Sequence, residues 1–260
     1  MLVDTHCHLD AAEFDRDRAS VIERALAAGV GRMVVPAVAG AAFPAVAALC
    51  RDVPQCRPAY GIHPLYVAAA QEDDLGLLRT RLASGDALAV GEIGLDFYVA
   101  DRDEARQRQF FQAQLRLARE FDLPVILHLR RAVDAVLKEL REHGVRRGIA
   151  HAFNGSRQQA DAFIAMGFKL GFGGAMTYDG SRRIRALAAE LPDEALVLET
   201  DAPDIPPQWL ERGRNQPGEL PRIAAILAEL RQTSTQAIAA VTTANAAAAL
   251  PGLLEPSPPR

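Results

Sequence analysis

Eight short apolar runs, separated by longer stretches of helical periodicity, constrain this 260-residue chain more than any other feature. The runs fall at 2–6, 32–38, 57–62, 88–93, 124–128, 148–152, 169–173 and 196–200. Between and after them lie amphipathic segments at 16–28, 41–51, 74–84, 104–121, 132–143, 157–166, 181–191, 220–231 and 235–250. An apolar run of five to seven residues is the length of a buried strand, and strands joined by helices of this length must pair in parallel through crossover connections. Eight such units in about 250 residues predict an α/β fold, a single-domain (β/α)8 TIM barrel. The competing arrangement is an open doubly wound sheet, but no strand is followed by a G-x-G-x-x-G fingerprint. The expected domain is 1–254, and the proline-rich end, 255–260, reads as a flexible tail.

Composition agrees with one large core. Hydrophobic residues make up 49% of the chain and charged residues 24%, which suits one domain of this length and excludes a disordered chain. No apolar stretch approaches the ~18 residues of a membrane span, and the N-terminus lacks the basic and apolar regions of a secretion signal. Cys7, Cys50 and Cys56 are odd in number and lack metal-ligand spacing. The expectation is a reducing, cytoplasmic setting without disulfides. A net charge of −4 argues against broad electrostatic adhesion to nucleic acid. It leaves open an enzyme that gathers phosphate with metal ions and a few arginines.

The polar residues that interrupt this pattern cluster at strand ends. His6 and His8 follow the first strand, His63 the third, His128 closes the fifth, and His151 follows the sixth. Glu92 reads as the end of strand four, and Asp201 follows strand eight. In a barrel the C-terminal ends of all strands gather at one face, where active sites are built. Residues spread from position 6 to position 201 would then converge. Two residues apart on a strand face the same way, so His6 and His8 can grip one cation while Cys7 turns into packing. Each residue alone has a plainer account. Paired histidines can be satisfied in a turn, Glu92 can hold an arginine, a strand-end histidine can make one core hydrogen bond, and Asp201 can cap a turn. Together they offer imidazole and carboxylate ligands with no thiolate, which suits Zn, Mn or Mg. His143 stands apart, in the last helical turn before Gly144, where a helix C-terminus favours it.

The motifs Asp4-Thr5-His6-Cys7-His8-Leu9-Asp10, Gly61-Ile62-His63-Pro64, Gly91-Glu92-Ile93-Gly94-Leu95-Asp96, His128 with Arg130, His151-Ala152-Phe153-Asn154-Gly155 and Glu199-Thr200-Asp201-Ala202-Pro203 resemble the TatD family. That family contains metal-dependent deoxyribonucleases of the amidohydrolase superfamily. Arg214-Asn215-Gln216-Pro217 also looks like the family's R-N-x-P loop. The resemblance spans nearly the whole chain. It implies a barrel carrying two divalent cations, Mg, Mn or Zn, with His6, His8 and Asp201 on one, His128 and His151 on the other, and Glu92 bridging. It implies hydrolysis of DNA phosphodiesters as a 3′-to-5′ exonuclease. The chain departs from the family pattern at Asn154, where Ser is frequent, at Leu129, where a small polar residue is common, and near its end, where an aromatic is missing.

On that resemblance, a pair of cations about 3.5–4 Å apart would activate water and stabilise phosphoryl charge. Asp201 would take the water's proton. His63 would contact phosphate, or else is a loop histidine ordered by Pro64. Arg130 offers a guanidinium fork to phosphate oxygens, and Asp4 would orient a ligand rather than be one. For contacts along DNA the sequence offers Arg130, Arg131, Arg212, Arg214, Tyr98 and Trp209, and the polar loop 206–220 is a candidate to face substrate. The expected partner is DNA, single-stranded or at its ends. Two other functions stay in view: hydrolysis of small esters, lactones or amides on the same site, and a barrel that holds metal structurally.

Overall fold

A computed structural model describes residues 1–255. Eight strands form one parallel sheet in sequence order: β1 Leu2–Asp4, β2 Val30–Pro36, β3 Cys56–Tyr60, β4 Ala89–Asp96, β5 Val125–Arg130, β6 Gly148–Ala150, β7 Phe168–Phe172 and β8 Leu196–Leu198. The sheet curls until β8 meets β1. There the Thr5 and Asp201 amides donate to the Leu198 and His6 carbonyls at 3.0 and 2.8 Å. The result is the expected (β/α)8 barrel, wrapped by α1 Arg18–Ala27, α2 Phe43–Asp52, α3 Glu72–Ala83, α4 Glu104–Glu120, α5 Val133–His143, α6 Arg157–Ala165, α7 Arg182–Glu190, α8 Leu220–Leu230 and α9 Thr235–Ala249. No helix among the described residues is long and apolar enough to cross a membrane.

Local signals explain most boundaries. Asp103 accepts the Arg106 amide at the start of α4, and Ser156 and Gln159 form a reciprocal capping box at the start of α6. Gly144, with φ 66°, ends α5 in the left-handed conformation that glycine adopts without penalty. His143, on that last turn, hydrogen-bonds the Glu139 carbonyl and takes no part in the strand-end cluster.

Two boundaries differ from the sequence reading, and both matter for the site. Strand β4 does not stop at Glu92 but runs on to Asp96. Its pairing with β5 slips between Val90 and Ile93, so Glu92 sits inside the strand at an irregularity. Such an extra residue turns a side chain out of the regular alternation. Gly91 permits the close approach there, because a Cβ would lie 2.7 Å from the Ile126 Cβ. In β1 the ladder stops at Asp4, so His6 and His8 lie beyond the strand. Their backbone stays ordered because the Cys7 amide donates to the Val34 carbonyl and the His8 amide to the Ala202 carbonyl. Cys7, Cys50 and Cys56 are buried free thiols. In the C-terminal stretch, the Glu255 carbonyl accepts from Arg57 at 2.9 Å; the remainder of the expected tail, 256–260, lies outside the described residues.

Candidate metal centre

The C-terminal ends of the strands bring His6, His8, His63, Glu92, His128, His151 and Asp201 into one cluster. Three overlapping groups have ligand atoms all within 4.8 Å of one another: His6 with His8 and Asp201, His6 with Glu92 and His151, and His63 with Glu92 and His128. Around the first group, His6 Nε2 lies 3.1 Å from Glu92 Oε2 and 3.6 Å from Asp201 Oδ1. His8 Nε2 lies 3.6 Å from both carboxylates, and the two imidazole nitrogens are 3.2 Å apart. Four ligands placed about 2.1 Å from a common ion are about 3.4 Å from each other in a tetrahedron. The spacing of these donors therefore fits a small divalent cation.

The ring orientations fit as well. His8 Nδ1 donates to the Pro36 carbonyl at 3.2 Å, which leaves the Nε2 lone pair facing the cluster. His151 Nε2 lies 3.7 Å from Asp201 Oδ1 and 3.9 Å from Glu92 Oε1, and its ring stacks on His6 at 3.7 Å. His128 is held between two carboxylates, with Nδ1 2.9 Å from Glu92 Oε1 and Nε2 2.9 Å from Asp96 Oδ2. His63 is oriented in the opposite sense. Its Nδ1 accepts the Leu65 amide at 3.1 Å, so the proton of the neutral ring sits on Nε2, which lies 3.5 Å from Glu92 Oε1.

A buried set like this is costly without a compensating charge. His6 Nδ1, His151 Nδ1 and Glu199 Oε2 are buried without a hydrogen-bond partner among the described residues. The titration behaviour records the same frustration. Burial pushes Glu92 up, but His6, His63 and His128 outweigh it and hold the carboxyl well below its ordinary range. Burial pulls His151 down, but Glu199 and Asp201 overcome it and lift the ring to about 10. Burial raises Asp201 to about 6 against the pull of His151 and His8. For His6, burial and the neighbouring His151 lower the value well below that of a free imidazole. Asp201 and Ala152 also carry positive φ, 59° and 44°, an uncommon backbone state for residues with side chains.

Supporting residues that the strand-end pattern did not single out complete the centre. Glu199 accepts the Ala152 amide at 2.6 Å and lies 3.1 Å from His151 Nδ1, out of line for a hydrogen bond. Gly171 leaves room for this carboxylate, since a Cβ there would lie 2.2 Å from Glu199 Oε2. Asp96 orients His128, and its own amide is held by buried Gln107. Gln114 pins both the amide and the carbonyl of Ile62, just before His63. Gln107 and Gln114 are seven residues apart, two turns of α4, on a face otherwise made of Phe110, Phe111, Leu115 and Ala118. A polar pair on an apolar stripe was their sequence signal. Asp4 contacts no imidazole. It accepts the Thr200 amide and hydroxyl at 2.9 and 2.6 Å and the His6 amide at 3.3 Å, which ties the ends of β1 and β8 together.

The cluster opens into a cavity of about 1490 Å³. Arg130, Arg131 and Tyr98 line it, with the Arg130 guanidinium 3.6 Å above the centre of the Tyr98 ring. Trp209, Arg212 and Arg214 do not line it. Arg214 is turned away onto Asp17 through bonds of 2.8 and 2.7 Å, and Trp209 donates to Glu219. Loop 206–220 is thus tied to the barrel, with Asn215 donating to the Thr200, Asp204 and Ile205 carbonyls. The loop was a candidate to face substrate, and none of its residues lines the cavity.

A (β/α)8 barrel with buried imidazoles and carboxylates converging below an open cavity defines a metal-dependent hydrolase class. Comparison with known proteins places the chain within it. The sequence profile of the family described as TatD related DNase matches residues 3–251. The uncharacterized metal-dependent hydrolase YjjV of Escherichia coli is 40% identical over 240 residues, covering 91% of this chain and 93% of the relative. YabD of Bacillus subtilis, also named an uncharacterized metal-dependent hydrolase, is 34% identical over 248 residues, covering 95% and 97%. The crystal structure of YjjV superposes with a TM-score of 0.93 at 38% identity, covering 96% of this chain and 97% of that one. The chain belongs to the TatD family of metal-dependent hydrolases.

Proposed function

We propose that this protein is a deoxyribonuclease that hydrolyses phosphodiester bonds at the ends or in single strands of DNA, in the 3′-to-5′ direction, with two divalent cations. The observation that carries the reading is the convergence of five imidazoles and two carboxylates beneath a cavity whose outer wall carries arginines. The family description as a DNase supports the same substrate.

His6, His8 and Asp201 would hold one cation, His128 and His151 the second, and Glu92, which belongs to two of the three ligand groups, would bridge them. When bound, divalent cations supply Lewis acidity to a phosphoryl oxygen and lower the pKa of water. The chain's own residues do the rest. Asp201 is ionised above about pH 6 and faces the cavity, where it takes up the proton released as water attacks phosphorus and the P–O bond to the departing sugar oxygen breaks, and can return that proton to this oxygen. His63 presents a fixed Nε2–H donor, which suits a non-bridging phosphate oxygen better than a cation. Arg130, at the exposed end of β5, offers its guanidinium to the same phosphate or its neighbour.

The test is degradation of end-labelled single-stranded and duplex DNA by metal-stripped protein, with Mg, Mn and Zn restored separately and Asp201→Asn as control. The expected result is metal-restored shortening from the 3′ end that is lost in the variant. No cleavage with any cation, despite two bound ions per chain, would turn the reading toward small esters or lactones on the same site.

A further inference from the structure

We infer that Arg183, held in place by Asn154, forms a second phosphate-binding point on the rim of the cavity, so that the site takes substrates carrying more than one phosphate. The inference rests on the nuclease reading and narrows its substrate to an oligonucleotide.

Arg183 lies in the first turn of α7 and Asn154 in the loop after β6; both are exposed and both line the cavity that contains Glu92, His63 and Asp201. Nε and Nη2 of Arg183 donate to the same oxygen, Asn154 Oδ1, at 3.2 and 2.7 Å. Nη1 makes no hydrogen bond or ion pair among the described residues. The nature of the anchor matters. Arg157, Arg185 and Arg214 are each paired with a carboxylate, Asp161, Asp179 and Asp17. Arg183 is instead anchored by a neutral amide, which orients the guanidinium and leaves its charge unneutralised. An oriented guanidinium loses less side-chain entropy on meeting an anion.

The charges of the rim are also unevenly placed. Its arginines, Arg130, Arg131 and Arg183, come from the end of β5 and the segments after β5 and β7. The acidic rim residues Asp10, Glu13 and Asp204 follow β1 and β8, whereas Asp134, on the arginine side, accepts a hydrogen bond from Gln159 at 2.8 Å. A chain of phosphates would therefore follow the arc from Arg130 past Asn154 to Arg183, and avoid the acidic side. A single phosphodiester engaged at the metal centre would not extend along that arc.

The experiment compares metal-loaded wild type and Arg183→Ala on two substrates. One is a short single-stranded thymidylate oligomer, and the other is bis-p-nitrophenyl phosphate, which has one phosphodiester and no further phosphate. The variant should raise the oligomer KM about tenfold more than the KM of the small diester, the value of one charge-assisted hydrogen bond. It should also flatten the slope of log KM against log salt for the oligomer by about 0.7, the single-strand value for one phosphate contact. Asn154→Asp should reproduce both effects by neutralising Arg183, and Arg183→Lys should restore part of the salt slope. Equal changes on both substrates, or an unaltered salt slope, would overturn the inference while leaving the nuclease reading intact. Hydrolysis of neither substrate by the wild type would overturn that reading, and this inference with it.

Discussion

The two ends of the barrel use the same strands for opposite purposes. At the N-terminal end, Val3, Val34, Ala59, Leu88, Ala89, Ile126, Ile149 and Val197 pack against Ala246, Ala249, Leu250 and Leu253 from the end of α9 and the turn after it. This plug is built of buried small and medium apolar side chains. The polar group that holds it, Asn245, donates to the Asp193 and Leu196 carbonyls. At the C-terminal end the core is largely buried too, yet it contains imidazoles and carboxylates with unpartnered atoms and left-handed backbone at Asp201 and Ala152. The contrast separates two tasks. One end stabilises the barrel by removing apolar surface from water. The other spends part of that stability to hold charged and titratable groups close together.

This comparison can be broken most directly at the metal centre. Glu92→Gln and Asp201→Asn should each lower hydrolysis by on the order of 10³-fold, the scale of losing one group that acts on transition-state charge. Circular dichroism and thermal melting of the metal-free variants should show a folded barrel no less stable than the parent. Retained activity in the metal-loaded double variant would remove the catalytic scheme.

The opposite end should give the reverse result. Leu250→Ala opens a cavity in a fully buried site. It should cost about 3 kcal/mol of stability, read from denaturant unfolding, while the specific activity of the folded fraction stays at the parent value. A loss of activity without a loss of stability would mean that the two ends are coupled.

A smaller effect is expected where the two demands meet. Glu199→Gln keeps the shape and an acceptor for the Ala152 amide but removes the charge beside His151. Affinity for one cation, measured by titration calorimetry, should fall about 10–100-fold, with the other cation little affected. A uniform loss at both would show that Glu199 only shapes the fold.

The mildest probe is pH. Asp201 and Asp4 have values of about 6 and about 7, above the ordinary 3.8, because burial disfavours their charged forms. A raised acid contributes stability below its unfolded value and loses it as pH climbs through the folded one. The metal-free protein should therefore lose stability between about pH 4 and about pH 7 from these two groups. Cation binding requires Asp201 ionised and His151, lifted to about 10, deprotonated. The rise in Tm produced by added metal should thus grow with pH over the same window. A metal-induced shift that shrinks with pH would contradict the assignment of these residues as ligands.

Much of this organisation was legible in the chain. The eight apolar runs correspond to the eight strands, and the helices fall within a few residues of the periodic segments, because burial on both faces of a parallel strand leaves a continuous apolar signature. His6, His8, His63, His128, His151, Glu92 and Asp201 could be grouped before any coordinates, since a barrel gathers strand ends on one face. Glu199, Asp96, Gln107 and Gln114 were harder to see. A buried polar residue on a helix or strand has the same local pattern whether it supports a ligand or fills the core.

The sequence by itself determined the barrel, its strand order and the set of residues at its C-terminal face, because hydrophobic periodicity is a local property written directly into the chain. Only the tertiary structure decided which nitrogen of each histidine faces the centre, that Arg214 and Trp209 turn away from the cavity while Arg183 turns toward it, and that Glu92 leaves the regular alternation of β4. Those outcomes depend on hydrogen bonds and contacts between residues tens to hundreds of positions apart, and such contacts leave no periodic trace in the sequence.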